Sequence, residues 1–86
     1  MDRETVFEKL VDIIRFTDES LLRRFLVIDE STRILEDLGF TSIAMLYMSV
    51  SIEEMFSIRL DDVNIWDLHT LGDTIDMILG KLKLTR

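Results

Sequence analysis

Three stretches of this chain repeat their apolar residues at helical spacing, and that periodicity sets the fold class. Val6, Leu10, Ile13 and Ile14, with Phe7 beside them, form one set. Met48, Ile52 and Phe56 stand at i, i+4 and i+8, flanked by Met45 and Met55. Leu71, Ile75, Ile78, Leu79 and Leu82 form the third. A repeat near 3.6 residues gathers each set on one helix face, which must be buried against something. Helices are therefore expected from Arg3 to Phe16, from Ser42 to Phe56, and onward from Leu71. Arg3, Glu8, Lys9 and Asp12 fall largely off the first stripe. Before the last helix, Thr70-Leu71-Gly72-Asp73 reads as a capping box, in which a hydroxyl and an acid three residues on satisfy free amides reciprocally. Gly80 weakens that helix near its end, and Lys81, Lys83 and Arg86 suit its negative pole. The chain has 86 residues, so a single domain over residues 1–86 is expected.

Between the first two helices lies a long connection, Thr17 to Thr41. Connections of that length are uncommon without structure of their own. Asp18 can cap a short helix from Glu19 to Leu26, and Leu22, Phe25, Leu26, Ile28, Ile34 and Leu35 can pin the segment to the bundle. Arg23 and Arg24 read as a solvated basic pair. After the second helix, Asp61-Asp62 can cap a short helix through Leu68, where Val63, Ile65, Trp66 and Leu68 are too apolar for a free loop. The expected architecture is an all-α, four-helix bundle with a long first loop, the later connections being short and antiparallel.

Charge and residue types exclude several functions. The formal net charge is −7, so nucleic acid would be repelled. Acidity either steers the chain toward basic partners or keeps a small domain in solution. There is no Cys, hence no disulfide framework and no protein thiolate. His69 is the only histidine; it reads as a solvated linker residue, and no metal site is expected. Gly39-Phe40-Thr41-Ser42-Ile43 is not the G-x-S-x-G of a serine hydrolase, and the three glycines are too scattered to cradle a nucleotide. Neither a signal peptide nor an apolar run of membrane-spanning length is visible. A non-enzymatic, cytoplasmic protein that does not insert into membranes, and a monomer, is expected.

One residue stands where chemistry is plausible. Ser42 follows Leu38-Gly39-Phe40-Thr41 and opens the second helix, placing a hydroxyl at the positive end of a helix dipole. Such a position suits a covalently attached phosphate. Taken alone, these residues favour a plain N-cap by Thr41 or Ser42.

Asp37-Leu38-Gly39-Phe40-Thr41-Ser42-Ile43, followed by Ile52-Glu53-Glu54-Met55-Phe56-Ser57-Ile58 and then Thr70-Leu71-Gly72-Asp73, resembles the motif series of the acyl carrier protein family. That family reads D-L-G-x-D-S-L, then E-E-x-F-x-I, then T-x-G-D. The resemblance covers about Thr32 to Leu82. It implies phosphopantetheine, donated from coenzyme A by a phosphopantetheinyl transferase and joined to Ser42 through a phosphodiester. It implies a carrier of acyl thioesters for enzymes of fatty-acid, lipid or polyketide biosynthesis. It further implies that the second helix docks partners, with Glu36, Asp37, Thr41, Leu46, Tyr47, Val50, Glu53 and Glu54 as the docking residues. Ile52, Leu60, Ile65, Trp66, Leu68 and Ile75 either line an acyl cavity, as the resemblance implies, or are ordinary core.

The chain departs from the family in two places. The Asp before the serine is Thr41, and early helix positions that are usually acidic are Ala44 and Tyr47. This predicts partners that make fewer ionic contacts near Ser42. Two other functions fit the sequence. One is a peptidyl or aminoacyl carrier, against which Phe40 speaks mildly because such carriers often hold a second Gly there. The other is an unmodified helical adaptor using the same apolar face.

Overall fold

The computed structural model describes residues 1–18 and 27–84. Among these, helix α1 spans Arg3–Thr17, α2 spans Ser42–Phe56 and α3 spans Leu71–Leu84, with a single 3-10 turn at Ile65–Asp67. The three long helices thus stand where the apolar periodicity puts them. The expected helix from Glu19 to Leu26, with the pinning residues Leu22, Phe25 and Leu26 and the pair Arg23-Arg24, lies outside the described residues, as does Arg86.

α1 is the central element and packs against both α2 and α3. Asp2 starts it by accepting a hydrogen bond from the Thr5 N–H at 2.8 Å. Val6, Leu10 and Ile14 of α1, Met45, Met48 and Ile52 of α2, and Leu71, Ile75 and Ile78 of α3 are all fully buried in one core. Thr74 lies among them; its hydroxyl donates to the Thr70 carbonyl, so its burial leaves no polar atom unpaired.

The first loop is part of the core. Ile34, Leu38 and Phe40 are buried, whereas Leu35, expected to pin the loop, faces outward. This loop also completes α3. The first amides of a helix have no partner inside it. Here the Leu71 N–H donates to the Thr32 carbonyl at 3.1 Å and the Gly72 N–H to the Glu30 carbonyl at 2.8 Å. The capping box forms as expected: the Asp73 N–H donates to Thr70 Oγ1, and the Thr70 and His69 N–H groups both donate to Asp73 Oδ2. Ile34 N–H donates to the His69 carbonyl, and Arg33 pairs with Thr70 in an isolated antiparallel bridge. Arg3 ties the same corner together from α1, donating to Glu30 and Asp76.

The segment after α2 corrects one expectation. The 3-10 turn is capped by Asn64, whose side chain accepts from the Trp66 N–H at 3.1 Å. Asp61 and Asp62 do not cap it: Asp61 pairs with Arg59, and Asp62 with Lys81 of α3. The Lys81 ammonium gives Asp62 a charged partner, and this cross-element pair ties the segment to α3.

Acid stability follows from these carboxylates. Lys81 holds Asp62 below its ordinary carboxylate value. The Thr5 backbone N–H does the same for Asp2, and the Ser31 hydroxyl for Asp29. Depressed folded-state values mean that the stabilisation is present above the unfolded value and is lost as pH falls through the folded one. Thermal melts are therefore expected to plateau above about pH 5 and to decline below about pH 4. In Lys81→Met the decline becomes shallower, because Asp62 returns toward its unfolded value.

Two glycines give opposite expectations. Gly39 has φ +67°, and a Cβ there would meet nothing within 4 Å. Gly39→Ala should cost about 1–2 kcal/mol from backbone strain alone. Gly80 lies inside α3 with equally open surroundings and no such φ. Gly80→Ala should stabilise by about 0.4–1 kcal/mol. Urea titration of the two variants measures both.

Candidate functional site

The approach to Ser42 is a loop closed by its own acids. Asp37 Oδ2 accepts from the Arg33 N–H at 2.8 Å, while the Arg33 carbonyl accepts from the Asp37 and Leu38 N–H groups. The Leu38 side chain then drops into the core. Gly39 takes the left-handed turn that only glycine adopts without strain, and Phe40 re-enters the core. Thr41 is the N-cap of α2: its hydroxyl accepts from the Ala44 N–H at 3.2 Å, and its carbonyl from the Met45 N–H at 2.9 Å. Since Thr41 performs the capping, Ser42 is left as the first helical residue. It is exposed, and its hydroxyl makes no hydrogen bond among the described residues.

Electrostatics sets this helix end apart. α1 has Glu4 in its first turn and α3 has Asp73, but the first turn of α2 holds no acid. The positive pole of α2 is therefore uncompensated by any carboxylate of its own. The Ser42 and Ile43 amides lie in the first turn, beyond reach of an intrahelical acceptor. A free hydroxyl beside helix amides at an unbalanced pole suits a covalently attached phosphate.

The chain matches a known family over most of its length. Residues 8–78 match the family model described as a phosphopantetheine attachment site. The chain belongs to this phosphopantetheine-attachment family. An acyl carrier protein of Tropheryma whipplei strain Twist is 31% identical over 81 residues, which cover 93% of this chain and 94% of the relative. An acyl carrier protein of Thermotoga maritima is 29% identical over 83 residues, covering 93% and 95% respectively. The family's prosthetic group is phosphopantetheine, and the exposed Ser42 hydroxyl with its acid-free helix pole fits a covalent phosphate linkage.

The expected docking residues divide by their surroundings. Leu46, Tyr47 and Val50 are exposed on the outer face of α2, and Ile43, at 80% exposure, extends that face toward Ser42. Glu54 is exposed as well. Glu36 pairs with Arg33 at the surface. Asp37 is exposed, but one of its oxygens closes the loop. Glu53 is half-buried, and its Oε2 accepts from the Leu60 N–H at 2.8 Å, latching the segment after α2 onto the helix. The helix ends there at Ser57, whose left-handed backbone (φ 54°) turns the chain so that the Ile58 N–H also donates to the Glu53 carbonyl, at 3.2 Å. The latching roles of Asp37 and Glu53 were not visible in the sequence. Only the i, i+4 spacing of Arg33 and Asp37 hinted at the first.

The six residues weighed as cavity lining also divide. Ile52 and Ile75 are fully buried, and Leu60 and Leu68 nearly so. Ile65 is half-buried, and Trp66 is exposed. Four surface clefts of roughly 290–450 Å³ stand out, and none of these six residues lines any of them. Among the described residues no group of three or more His, Cys, Asp or Glu is placed to hold a metal, and no helix is long and apolar enough to cross a membrane.

Proposed function

We propose that this chain is an acyl carrier protein whose phosphopantetheine is attached through Ser42 Oγ. The observation that carries this reading is the unengaged Ser42 hydroxyl at the acid-free N-terminus of α2, inside the stretch that matches the attachment family. The relatives are acyl carrier proteins, which favours acyl cargo over peptidyl cargo and a modified carrier over an unmodified adaptor.

When bound, the group supplies the thiol on which an acyl chain is held as a thioester, so the protein itself needs no Cys. The chain's residues do the rest. Thr41 fixes the start of α2 so that Ser42 projects into solvent. The Ser42 and Ile43 amides and the helix pole oppose the phosphodiester charge. The loop latched by Asp37 holds this arrangement against the core. A long arm on a small, rigid base raises the concentration of cargo at each partner's active site.

The protein acts as a carrier and not as a catalyst. It works as one domain over residues 1–86, as a monomer in the cytoplasm, with the turn at Ile65–Asp67 as the fourth element of the bundle. Its partners are a phosphopantetheinyl transferase and acyl-handling enzymes of fatty-acid, lipid or polyketide biosynthesis. They dock on Glu36, Asp37, Thr41, Leu46, Tyr47, Val50 and Glu54, with Glu53 shaping the far edge. Ile52, Leu60, Ile65, Leu68 and Ile75 part to admit an acyl chain beside Trp66.

The test is incubation with coenzyme A, magnesium and a broad-specificity phosphopantetheinyl transferase. The intact mass should rise by one phosphopantetheinyl group, and peptide fragmentation should place it on Ser42. An adduct on another residue, or no adduct with any of several transferases, would refute the reading.

A further inference from the structure

Residues 57–70 form a strap from the end of α2 to the start of α3. Both helices pack on α1 far more than on each other. The strap closes the seam between them. Its Ile58, Leu60 and Leu68 are buried in the same core as Ile52 of α2 and Ile75 of α3, and Val63 and Ile65 are packed against that core.

The strap is fastened unequally on its two sides. Toward α2, the Ile58 N–H donates to the Glu53 carbonyl at 3.2 Å and the Leu60 N–H to Glu53 Oε2 at 2.8 Å. Ser57 lies between them and α2 with φ 54°, a conformation that a serine keeps only where neighbouring bonds fix it. Toward α3, the tie is the ion pair of Asp62 with Lys81. The N–H groups of Val63, Asp67 and Leu68 donate to Leu60, Asn64 and Ile65, so these bonds close within the strap itself. Arg59 and Asp61 likewise pair with each other.

The two ties differ in how easily they part. The Asp62 side chain is 75% exposed, so its carboxylate regains water as soon as the pair opens. The Lys81 side chain is only 18% exposed; its stem is covered while its ammonium reaches outward to Asp62. An exposed pair of this kind shifts an equilibrium by about two- to fivefold. Glu53 is half-buried and its bond to the Leu60 N–H is partly buried, so breaking that tie leaves two poorly hydrated groups unpaired. The strap therefore yields on its α3 side, with Glu53 and Ser57 as the fixed end. Opening there lifts Leu60 and Leu68 from the core. An apolar chain entering the gap restores the lost burial, by about fourfold per methylene. An acetyl group restores little.

We infer that the Asp62–Lys81 pair determines which cargo this carrier shelters: it holds the strap shut against short acyl groups and yields to chains long enough to replace the strap's own burial. This rests on the carrier reading and deepens it. The pair weighs about as much as one buried methylene, so removing it moves the sheltering threshold by about one carbon.

The experiment uses the full chain and has two readouts. The first is amide exchange of the unloaded protein. At Val63 and Leu68, exchange should quicken about two- to fivefold in Asp62→Asn and stay at the parent rate in Asp62→Glu, which keeps the charge. Asp76→Asn loses the Arg3 pair, which strap opening does not disturb, and should leave Val63 and Leu68 unchanged. The second readout is thioester reactivity. A transferase loads the chain from acetyl-, butyryl-, hexanoyl- or octanoyl-coenzyme A, and cleavage by hydroxylamine is followed by intact mass. On the parent, cleavage should slow as the chain lengthens. Asp62→Asn should slow octanoyl cleavage about two- to fivefold further and leave acetyl cleavage unchanged. Trp66, the only tryptophan, lies on the strap, and its emission should change on octanoyl loading but not on acetyl loading. Equal cleavage of acetyl and octanoyl on the parent overturns the inference, and so does octanoyl protection or strap exchange that Asp62→Asn leaves unchanged. Acetyl slowed as much as octanoyl overturns it too. Ser42 loading stands in each of these cases. Absence of any adduct on the parent overturns the Ser42 reading and the cargo assignment with it.

Discussion

Replacing Ser42 with alanine should abolish loading completely while leaving the fold in place. The oxygen removed is the atom that would form the phosphodiester, so no residual rate is expected from this position. No neighbouring serine or threonine hydroxyl is equally free. Thr41 Oγ1 is engaged as the N-cap, Ser49 is buried and bonded to Leu46, and Ser51 lies more than two turns along the helix, bonded to Tyr47. Stability should move by less than about 0.5 kcal/mol, because Ser42 is exposed and its hydroxyl makes no hydrogen bond among the described residues. Intact mass after incubation with coenzyme A and a transferase gives the first result, and a thermal melt gives the second. The loaded parent should also melt slightly higher than the unloaded one. An anion at the acid-free pole of α2 adds about 0.3–1 kcal/mol. A Ser42→Ala protein that still gains the group would mean that another hydroxyl is the attachment point.

Truncating the centre of α1 should produce the largest loss of stability. Ile14 is fully buried, and α1 is the helix that packs against both others. Ile14→Ala removes three carbons from the shared core, and the surroundings close the resulting space only in part. The cost should be about 2–5 kcal/mol. A domain of this size has only about 4–13 kcal/mol in total, at roughly 0.05–0.15 kcal/mol per residue. The melting temperature should fall by at least about 8 °C, since each kcal/mol is worth about 4–8 °C in a small domain. Ile43→Ala is the matched control. The residue type is the same, but Ile43 is 80% exposed, so its truncation should stay within about 0.5 kcal/mol. Denaturation of both variants by urea would compare them directly. Similar losses would mean that Ile43 is enclosed in the free protein and that the outer face of α2 is not open.

The contrast between two isoleucines on adjoining helices marks the limit of what the sequence alone could decide. In α1 and α3 the apolar residues occupy one stripe, and the buried face follows from helical period alone. In α2 apolar residues stand on both sides, yet the i, i+4 and i+8 row of Met48, Ile52 and Phe56 still picks out the buried face; Met45 turns inward with it, while Ile43, Leu46 and Val50 turn outward. Met55, expected beside the inner row, is exposed. Which side faces out is fixed by where α1 lies, and that is a property of the whole chain.

Local chemistry was legible wherever both partners lie within one helical turn. The capping box of Thr70 and Asp73 could be read directly, as could the start of α2 at Thr41-Ser42. Bonds between distant segments could not. Glu30 and Thr32 supply acceptors for α3, Lys81 takes Asp62 from its expected cap, and Glu53 reaches forward to Leu60. The physical reason is one of range. Periodicity, propensity and capping act over three or four residues and are written in adjacent letters. A backbone carbonyl has no letter of its own, and it finds a helix amide only after the loop has been folded over the core.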